Sequence, residues 1–147
     1  MKLTYKYTRT KMACRALVNV SFQHSAEALP ILLDTGSEVT ILPQSWMKNL
    51  KHNANARTNT YTVKGLGDQV FKLLEHSETL TIRKEDFTPA CTTTLLRIFF
   101  SEGLNRVNAG VFGMDYLTTL IDFHPGKTSF TLTLPDLTNV KTAIEYL

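Results

Sequence analysis

The chain has 147 residues, of which 43% are hydrophobic and 20% charged, values typical of a soluble globular protein. Its net charge of +3 comes from scattered Lys and Arg with no basic run between aromatic residues, so composition gives no argument for nucleic-acid binding. We expect one domain over residues 1–147 without a membrane partner, because no apolar stretch approaches the roughly 20 residues that cross a bilayer and the N-terminus lacks the apolar region of a secretory signal.

Strand patterns dominate the chain from residue 16 onward. The segment "ALVNVSF" (16–22) alternates apolar and polar residues, as a half-buried strand does, and "LPILLD" (29–34) predicts a short apolar strand. Within residues 43–59, the sequence predicts one helical turn around Trp46 and Met47, followed by a surface loop in the polar second half.

The second half of the chain continues this pattern. The segment "TYTVKGLGDQVFKLL" (60–74) predicts a hairpin with Gly65 and Gly67 at its tip. Strands are predicted at 78–87, 92–100, 119–123 and 128–134, a turn at 124–127, and helices at 113–120 and 137–147. Many short strands with turn signals indicate an all-β domain with a closed or sandwiched sheet and one short helix.

One acidic residue, Asp34, stands directly after an apolar strand in the sequence "ILLDTGSEVTILP" (31–43). A strand that ends in a carboxylate carries it to the edge of the core, where desolvation and hydrogen bonds reset its pKa. Gly36 lets the backbone turn sharply and approach the carboxylate with an N–H, and Thr35 adds a hydroxyl that can lock the turn across a symmetric partner. These three residues are the candidate catalytic group.

A simple turn is the competing interpretation of this segment, because Asp, Thr, Gly and Ser are all turn formers. A surface turn predicts polar residues after it, whereas apolar residues flank this motif on both sides, which favours a functional site. No serine-hydrolase elbow, zinc-protease helix motif or phosphate-binding loop occurs. We expect no metal and no cofactor, since Cys14 and Cys91 lack metal-ligand spacing and the histidines lie apart in polar turns.

A second segment, "AGVFGMDYLTTLIDF" (109–123), again leads small and apolar residues into a glycine, Gly113, before a predicted helix. With "LLDTGSEVTIL" and the glycine-tipped "TVKGLGDQV", it completes three motifs in order. In these motifs the chain resembles the retropepsin-like aspartic proteases of retroviruses and retrotransposons, and "GMDYL" followed by "LIDF" is closer to the retrotransposon branch. The resemblance covers about residues 12–134, and the two ends of the chain have no counterpart in it.

The resemblance implies a closed small β-barrel with a flap hairpin, acting as an aspartic endopeptidase. Such enzymes use two carboxylates that share one proton. This chain has one Asp-Thr/Ser-Gly motif, so the resemblance implies a homodimer in which each copy supplies Asp34, supported by Thr35 and Gly36.

The resemblance also implies that an extended peptide binds under the flap as an added strand. The residues expected to bind it are Ser37, Val63, Lys64, Gly65, Leu66, Gly67 and Asp68. The implied substrate is a Gag-Pol-like polyprotein, cut in the cytoplasm or within virus-like particles, with no need of nucleic acid. The hydroxyl of Ser37 is further expected to donate a hydrogen bond to the outer oxygen of Asp34. Because such a bond favours the charged form, the first of the two apparent pKa values of the carboxylate pair should fall.

One departure and two alternatives accompany this hypothesis. Retroviral members usually have Arg at the position of Met114, so Glu38 lacks the partner that braces the dimer there. One alternative is a catalytically inactive domain of the same family that serves dimerisation or interaction in a ubiquitin pathway, against which the intact Asp34 motif argues. The other is a nucleic-acid-binding β-barrel, which predicts a steep salt dependence of oligonucleotide binding.

Overall fold

The computed structural model of the protein describes residues 1–22, 25, 27–49, 60–64, 70–117 and 121–134. The strands of these segments are β1 (Lys2–Lys6), β2 (Thr8–Arg9), β3 (Cys14–Arg15), β4 (Leu17–Phe22), β5 (Leu29–Leu33), β6 (Ile41–Pro43), β7 (Thr60–Lys64), β8 (Val70–Arg83), β9 (Pro89–Ser101), β10 (Gly110–Phe112), β11 (Asp122–Pro125) and β12 (Ser129–Thr133). The helices are α1 (Met114–Leu117) and two 3₁₀ helices, Gln44–Asn49 and Glu102–Leu104. Within the described part of the chain, no helix has the length and apolar character to span a membrane.

Seven strands form the main sheet, in the order β4-β5-β10-β6-β9-β8-β7. β8 also pairs with β4, residues 80–82 against 20–22, so the pairings of six strands return to their start and form a ring. β5 and β10 run parallel to each other and end together, Phe112 opposite Leu33. The predicted all-β class with one short α-helix is confirmed.

The hydrophobic core determines which residues of β5 face inward. Leu29, Ile31 and Leu33 are buried, while the two residues between them are partly exposed. Because side chains alternate along a strand, burial of this set determines the register of β5 and leaves Asp34 as the first residue beyond it. Among the residues whose burial the structure describes, the largest fully buried side chains are those of Trp46, Tyr116, Phe100, Phe112 and Phe130.

Most of the predicted strands occur in the structure, with differences in where strands end and in how many there are. The strand predicted over 78–87 ends at Arg83, because the following residues form a turn in which Phe87 has a φ of 69° and its N–H donates to the carbonyl of Lys84 at 2.9 Å. The strands β1, β2, β3, β6 and β10 were not predicted, and the second strand of the hairpin at 60–74 is continuous with the strand predicted over 78–87, so that together they form β8. The hairpin tip at Gly65 and Gly67 and the helix predicted over 137–147 lie outside the described residues.

A second sheet, of strands β1, β12 and β11 in that order, is joined to the main sheet through Tyr5. The Tyr5 ring stacks on Phe130 with 5.3 Å between ring centroids, and its hydroxyl donates to the carbonyl of Arg83 at 2.7 Å. Burial, with a smaller contribution from the charge of Glu85, raises the pKa of Tyr5 to about 12. The phenol therefore stays protonated in the folded protein well above its ordinary range.

This pKa predicts a loss of stability in alkali. The unfolded chain releases the Tyr5 proton near pH 10, whereas the folded chain keeps it until about 12, so the free energy of unfolding should fall as pH rises through that window. Urea unfolding of Tyr5→Phe should show a smaller fall than the wild type over the same pH range. Tyr7→Phe, which removes an exposed hydroxyl that donates to the carbonyl of Gly126, controls for the lost hydrogen bond. If the free energy of unfolding of the wild type and of Tyr5→Phe changed equally with pH, the raised pKa of Tyr5 would be contradicted.

Candidate active site

Asp34 follows β5 at the edge of the sheet where β5 and β10 end side by side. Its N–H donates to the carbonyl of Phe112, the last residue of β10, at 3.0 Å. On the other side, the N–H of Leu33 donates to the carbonyl of Ala16 at 2.9 Å. Main-chain bonds to two neighbouring segments thus hold this point of the chain, and Asp34 itself is partly exposed at the rim of the core.

The Asp-Thr-Gly segment forms a tight turn around the carboxylate. The N–H of Gly36 donates to Oδ1 of Asp34 at 2.9 Å, and the N–H of Ser37 donates to the Asp34 carbonyl at 3.2 Å. A Cβ at position 36 would lie 3.1 Å from the same Oδ1, so glycine gives this close approach its room. Thr35 and Gly36 are exposed, which leaves this side of the turn open to solvent or to a partner.

Ser37 braces the loop rather than the carboxylate. Its hydroxyl donates to the carbonyl of Val39 at 2.7 Å. A serine hydroxyl has one proton to donate, so the predicted bond to the outer oxygen of Asp34 is not formed in this structure.

The loop after Asp34 is attached to the start of α1 by main-chain bonds. The N–H of Met114 donates to the carbonyl of Ser37 at 2.7 Å, and that of Asp115 donates to the carbonyl of Glu38 at 3.2 Å. Gly113 makes this approach possible, because a Cβ there would lie 2.4 Å from the carbonyl oxygen of Val39. The glycine that the sequence places before the helix is therefore needed where loop and helix meet.

A threonine and an aspartate form a side-chain link at the same place. Thr40 is fully buried, and both its N–H and its hydroxyl donate to the carboxylate of Asp115, at 2.9 Å and 2.8 Å. The Thr40 hydroxyl also accepts from the N–H of Gly113 at 3.1 Å, and Oδ1 of Asp115 accepts from the N–H of Tyr116 at 2.9 Å. Burial raises the pKa of the Asp115 carboxyl, and the bonds from Thr40 and Tyr116 oppose that shift.

Sequence reasoning missed this link, since it gave neither Thr40 nor Asp115 a role. The available signal was a lone polar residue, Thr40, inside the apolar segment "VTIL", together with an acid two residues after Gly113. Neither feature indicates the other without the fold.

The residues predicted to bind substrate fall into two groups. Ser37 adjoins the Asp34 turn, as contiguity requires. Val63 and Lys64 end β7, where they pair with Phe71 and Val70 of β8, so the predicted hairpin has its two strands. Gly65, Leu66, Gly67 and Asp68 lie outside the described residues, and their contact with a peptide stays a prediction.

The arrangement supplies a carboxylate held at a strand end and open to solvent. Such a group can act as a general base toward water, and aspartic proteolysis pairs it with a second carboxyl that shares its proton. Among the described residues, no group of three or more His, Cys, Asp or Glu side chains is placed to hold a metal ion.

Comparison with known proteins adds one finding on the fold. No protein-family model matches the chain, and no curated protein matches it in sequence. Among solved structures, it is similar to the crystal structure of a retropepsin-like aspartic protease from Rickettsia conorii, with a TM-score of 0.59 and 15% sequence identity. The similarity covers 90% of this chain and 91% of that chain. At this identity the likeness shows the retropepsin-like fold, and the all-β fold of that type expected from the three motifs is confirmed.

Proposed function

We propose that the protein is an aspartic endopeptidase that cleaves peptide bonds as a homodimer, with one Asp34 from each chain. The observation that carries the proposal is the placement of the Asp34 carboxylate at the joint end of β5 and β10, with the Gly36 N–H 2.9 Å from its Oδ1. The fold shared with a retropepsin-like aspartic protease supports it.

The chemistry follows from two carboxyl groups at one site. Two like charges about 3 Å apart do not readily coexist, so in the active form of the pair the two Asp34 carboxyls share one proton. The ionised member takes a proton from water as the water attacks the scissile carbonyl, and the protonated member donates to the carbonyl oxygen. The Gly36 N–H holds one oxygen of each carboxylate in place.

A second copy of the chain is needed to complete this pair. Asp115 is the acid on the neighbouring helix, but both of its oxygens accept hydrogen bonds from Thr40 inside the fold. A two-fold axis that brings Asp34 next to its own copy supplies the second carboxylate without another acidic motif.

We propose that the substrate is an extended peptide segment of a Gag-Pol-like polyprotein, bound beneath the β7–β8 hairpin and cut in the cytoplasm or in virus-like particles. The support for this substrate, and for a place near the retrotransposon branch, is the sequence resemblance of the three motifs. We also propose that residues 1–147 act as one domain. Pairing of β1 with β12, and the bond from the Met1 ammonium to the Leu134 carbonyl at 3.0 Å, support this because they join the two ends of the described chain.

Cleavage of a peptide library at increasing protein concentration tests the proposal. Each chain supplies one carboxylate, so specific activity should rise with concentration and then level off as dimers form. Sedimentation at the same concentrations gives the dimer fraction, and a constant mass of inert carrier protein controls for adsorption. Constant specific activity across concentrations at which the protein sediments as a monomer would rule out the shared site. A stable dimer without cleavage would favour an inactive interaction domain.

A further inference from the structure

We infer that Thr40 and Asp115 form a positioning pair for the proposed reaction, which fastens the loop carrying Asp34 to α1 and so sets the separation of the two Asp34 carboxylates. The inference rests on the proposed function. It assigns these residues no contact with substrate.

The pair closes the far end of the active-site loop, residues 34–40. At the near end, the N–H of Asp34 is bonded to the carbonyl of Phe112. At the far end, Thr40 donates twice to Asp115, which is 75 residues further along the chain. The main-chain bonds between these points form with any non-proline residue, whereas the link of Thr40 to Asp115 depends on residue identity. It is therefore the part of the attachment that the sequence specifies.

The donors of Thr40 correspond to the acceptors of Asp115. Thr40 presents an N–H and an O–H that point to different oxygens of one carboxylate, while its hydroxyl oxygen accepts from Gly113. Burial of a carboxylate costs free energy unless donors satisfy it, and Thr40 with the N–H of Tyr116 supplies them. A group that served only to begin α1 would need the Tyr116 bond and not the two from Thr40.

Two-fold symmetry makes the position of this loop important. A shift of residues 34–40 occurs in both subunits, so it changes the distance between the two Asp34 carboxylates by twice its component along the line that joins them. Coupling between two charges weakens with distance, so the two ionisation steps of the pair should move closer together. The pH profile of kcat/KM should then narrow from both sides.

Thr40→Val, Thr40→Ser and Asp115→Asn test the inference. Valine keeps a β-branched shape and removes the hydroxyl, serine keeps the hydroxyl, and asparagine keeps an oxygen acceptor but loses the second one. We expect Thr40→Val to lower kcat on the order of 10- to 100-fold with little change in KM, and to narrow the pH profile. Thr40→Ser should retain most of the wild-type profile width. The kcat and the profile width of Asp115→Asn should lie between those of Thr40→Val and Thr40→Ser.

The variants also separate a change in the spacing of the two Asp34 carboxylates from a change in the ionisation of nearby side chains. The charged side chains on the segments bonded to residues 33–38 are Arg15, Glu38 and Asp115, and Thr40→Val changes none of their charges. Thr40→Val does remove donors from Asp115 and so alters its titration, whereas Asp115→Asn abolishes that titration. Narrowing in both variants therefore reports the separation of the Asp34 pair.

The outcomes distinguish this inference from the proposed function. If Thr40→Val keeps the wild-type profile width, and its activity falls only in proportion to its folded dimer, the pair is structural and the inference is overturned. If Thr40→Val does not fold, the same criterion applies to Asp115→Asn. An inactive wild type, or full activity in Asp34→Asn, overturns the proposed function and the inference with it.

Discussion

Replacing Asp34 by Asn should reduce peptide cleavage on the order of 10³-fold and leave the protein folded. An amide cannot take the proton of the attacking water, and a pair of two amides has no acidic proton to share. The fold should tolerate the exchange, because the Asn Oδ1 can still accept the hydrogen bond from the Gly36 N–H and the side chain stays at a partly exposed position. Hydrolysis of a library peptide and circular dichroism of both proteins measure the two parts of this result.

Asp86→Asn is the matched control for this exchange. Asp86 is exposed, and its Oδ1 accepts from the N–H and hydroxyl of Thr88 in the turn between β8 and β9, so Asn removes the same charge and keeps the same acceptor. Activity should stay near the wild-type value. Mixing the wild type with excess Asp34→Asn should also reduce cleavage, because mixed dimers contain one carboxylate. More than trace activity in Asp34→Asn alone would refute the catalytic assignment.

Gly113→Ala should be strongly destabilising, by about 3 kcal/mol, the upper part of the usual range for overpacked sites. The new Cβ would lie 2.4 Å from the carbonyl oxygen and 2.5 Å from the carbonyl carbon of Val39. These are backbone atoms of the loop that carries Asp34, so relief of the contact requires movement of the loop or of α1. Such a loss is a large part of the 5–15 kcal/mol that holds a typical domain folded, and activity should fall with it.

Gly103→Ala provides the comparison for Gly113→Ala. Gly103 is exposed in the 3₁₀ helix Glu102–Leu104, where its N–H donates to the hydroxyl of Ser101. Alanine there should change the free energy of unfolding by about 1 kcal/mol or less. Urea unfolding of the three proteins gives both values. A Gly113→Ala protein as stable as the wild type would show that the loop and α1 do not meet as described.

The attachment of this loop also bears on the missing arginine at Met114. The retroviral pattern expects an ion pair with the acid at Glu38, whereas here the Glu38 carbonyl accepts from the N–H of Asp115 and its side chain is exposed. The main-chain bonds and the link of Thr40 to Asp115 hold the loop within one chain. We therefore expect the bracing of the proposed homodimer to differ from that of retroviral enzymes.

The features that could be predicted from the sequence are those coded by short segments. The strands β4, β5 and β9 follow from alternating or continuous apolar residues, and the turn at Asp34 follows from Thr35 and Gly36 directly after an apolar run. The short helix follows from Gly113 and the residues after it in the same way. Each of these signals is contained in a few consecutive residues, so it can be recognised without knowledge of the fold.

The remaining features depend on contacts between distant segments. The direction of the Ser37 hydroxyl follows from the position of the Val39 carbonyl, which the packing of the loop determines. The strand β1 forms because β12, far along the chain, offers it a partner. Thr40 and Asp115 meet only when β10 brings α1 beside the Asp34 loop. Hydrogen bonds act over about 3 Å in space whatever the separation along the chain, so only the tertiary structure could decide these partners.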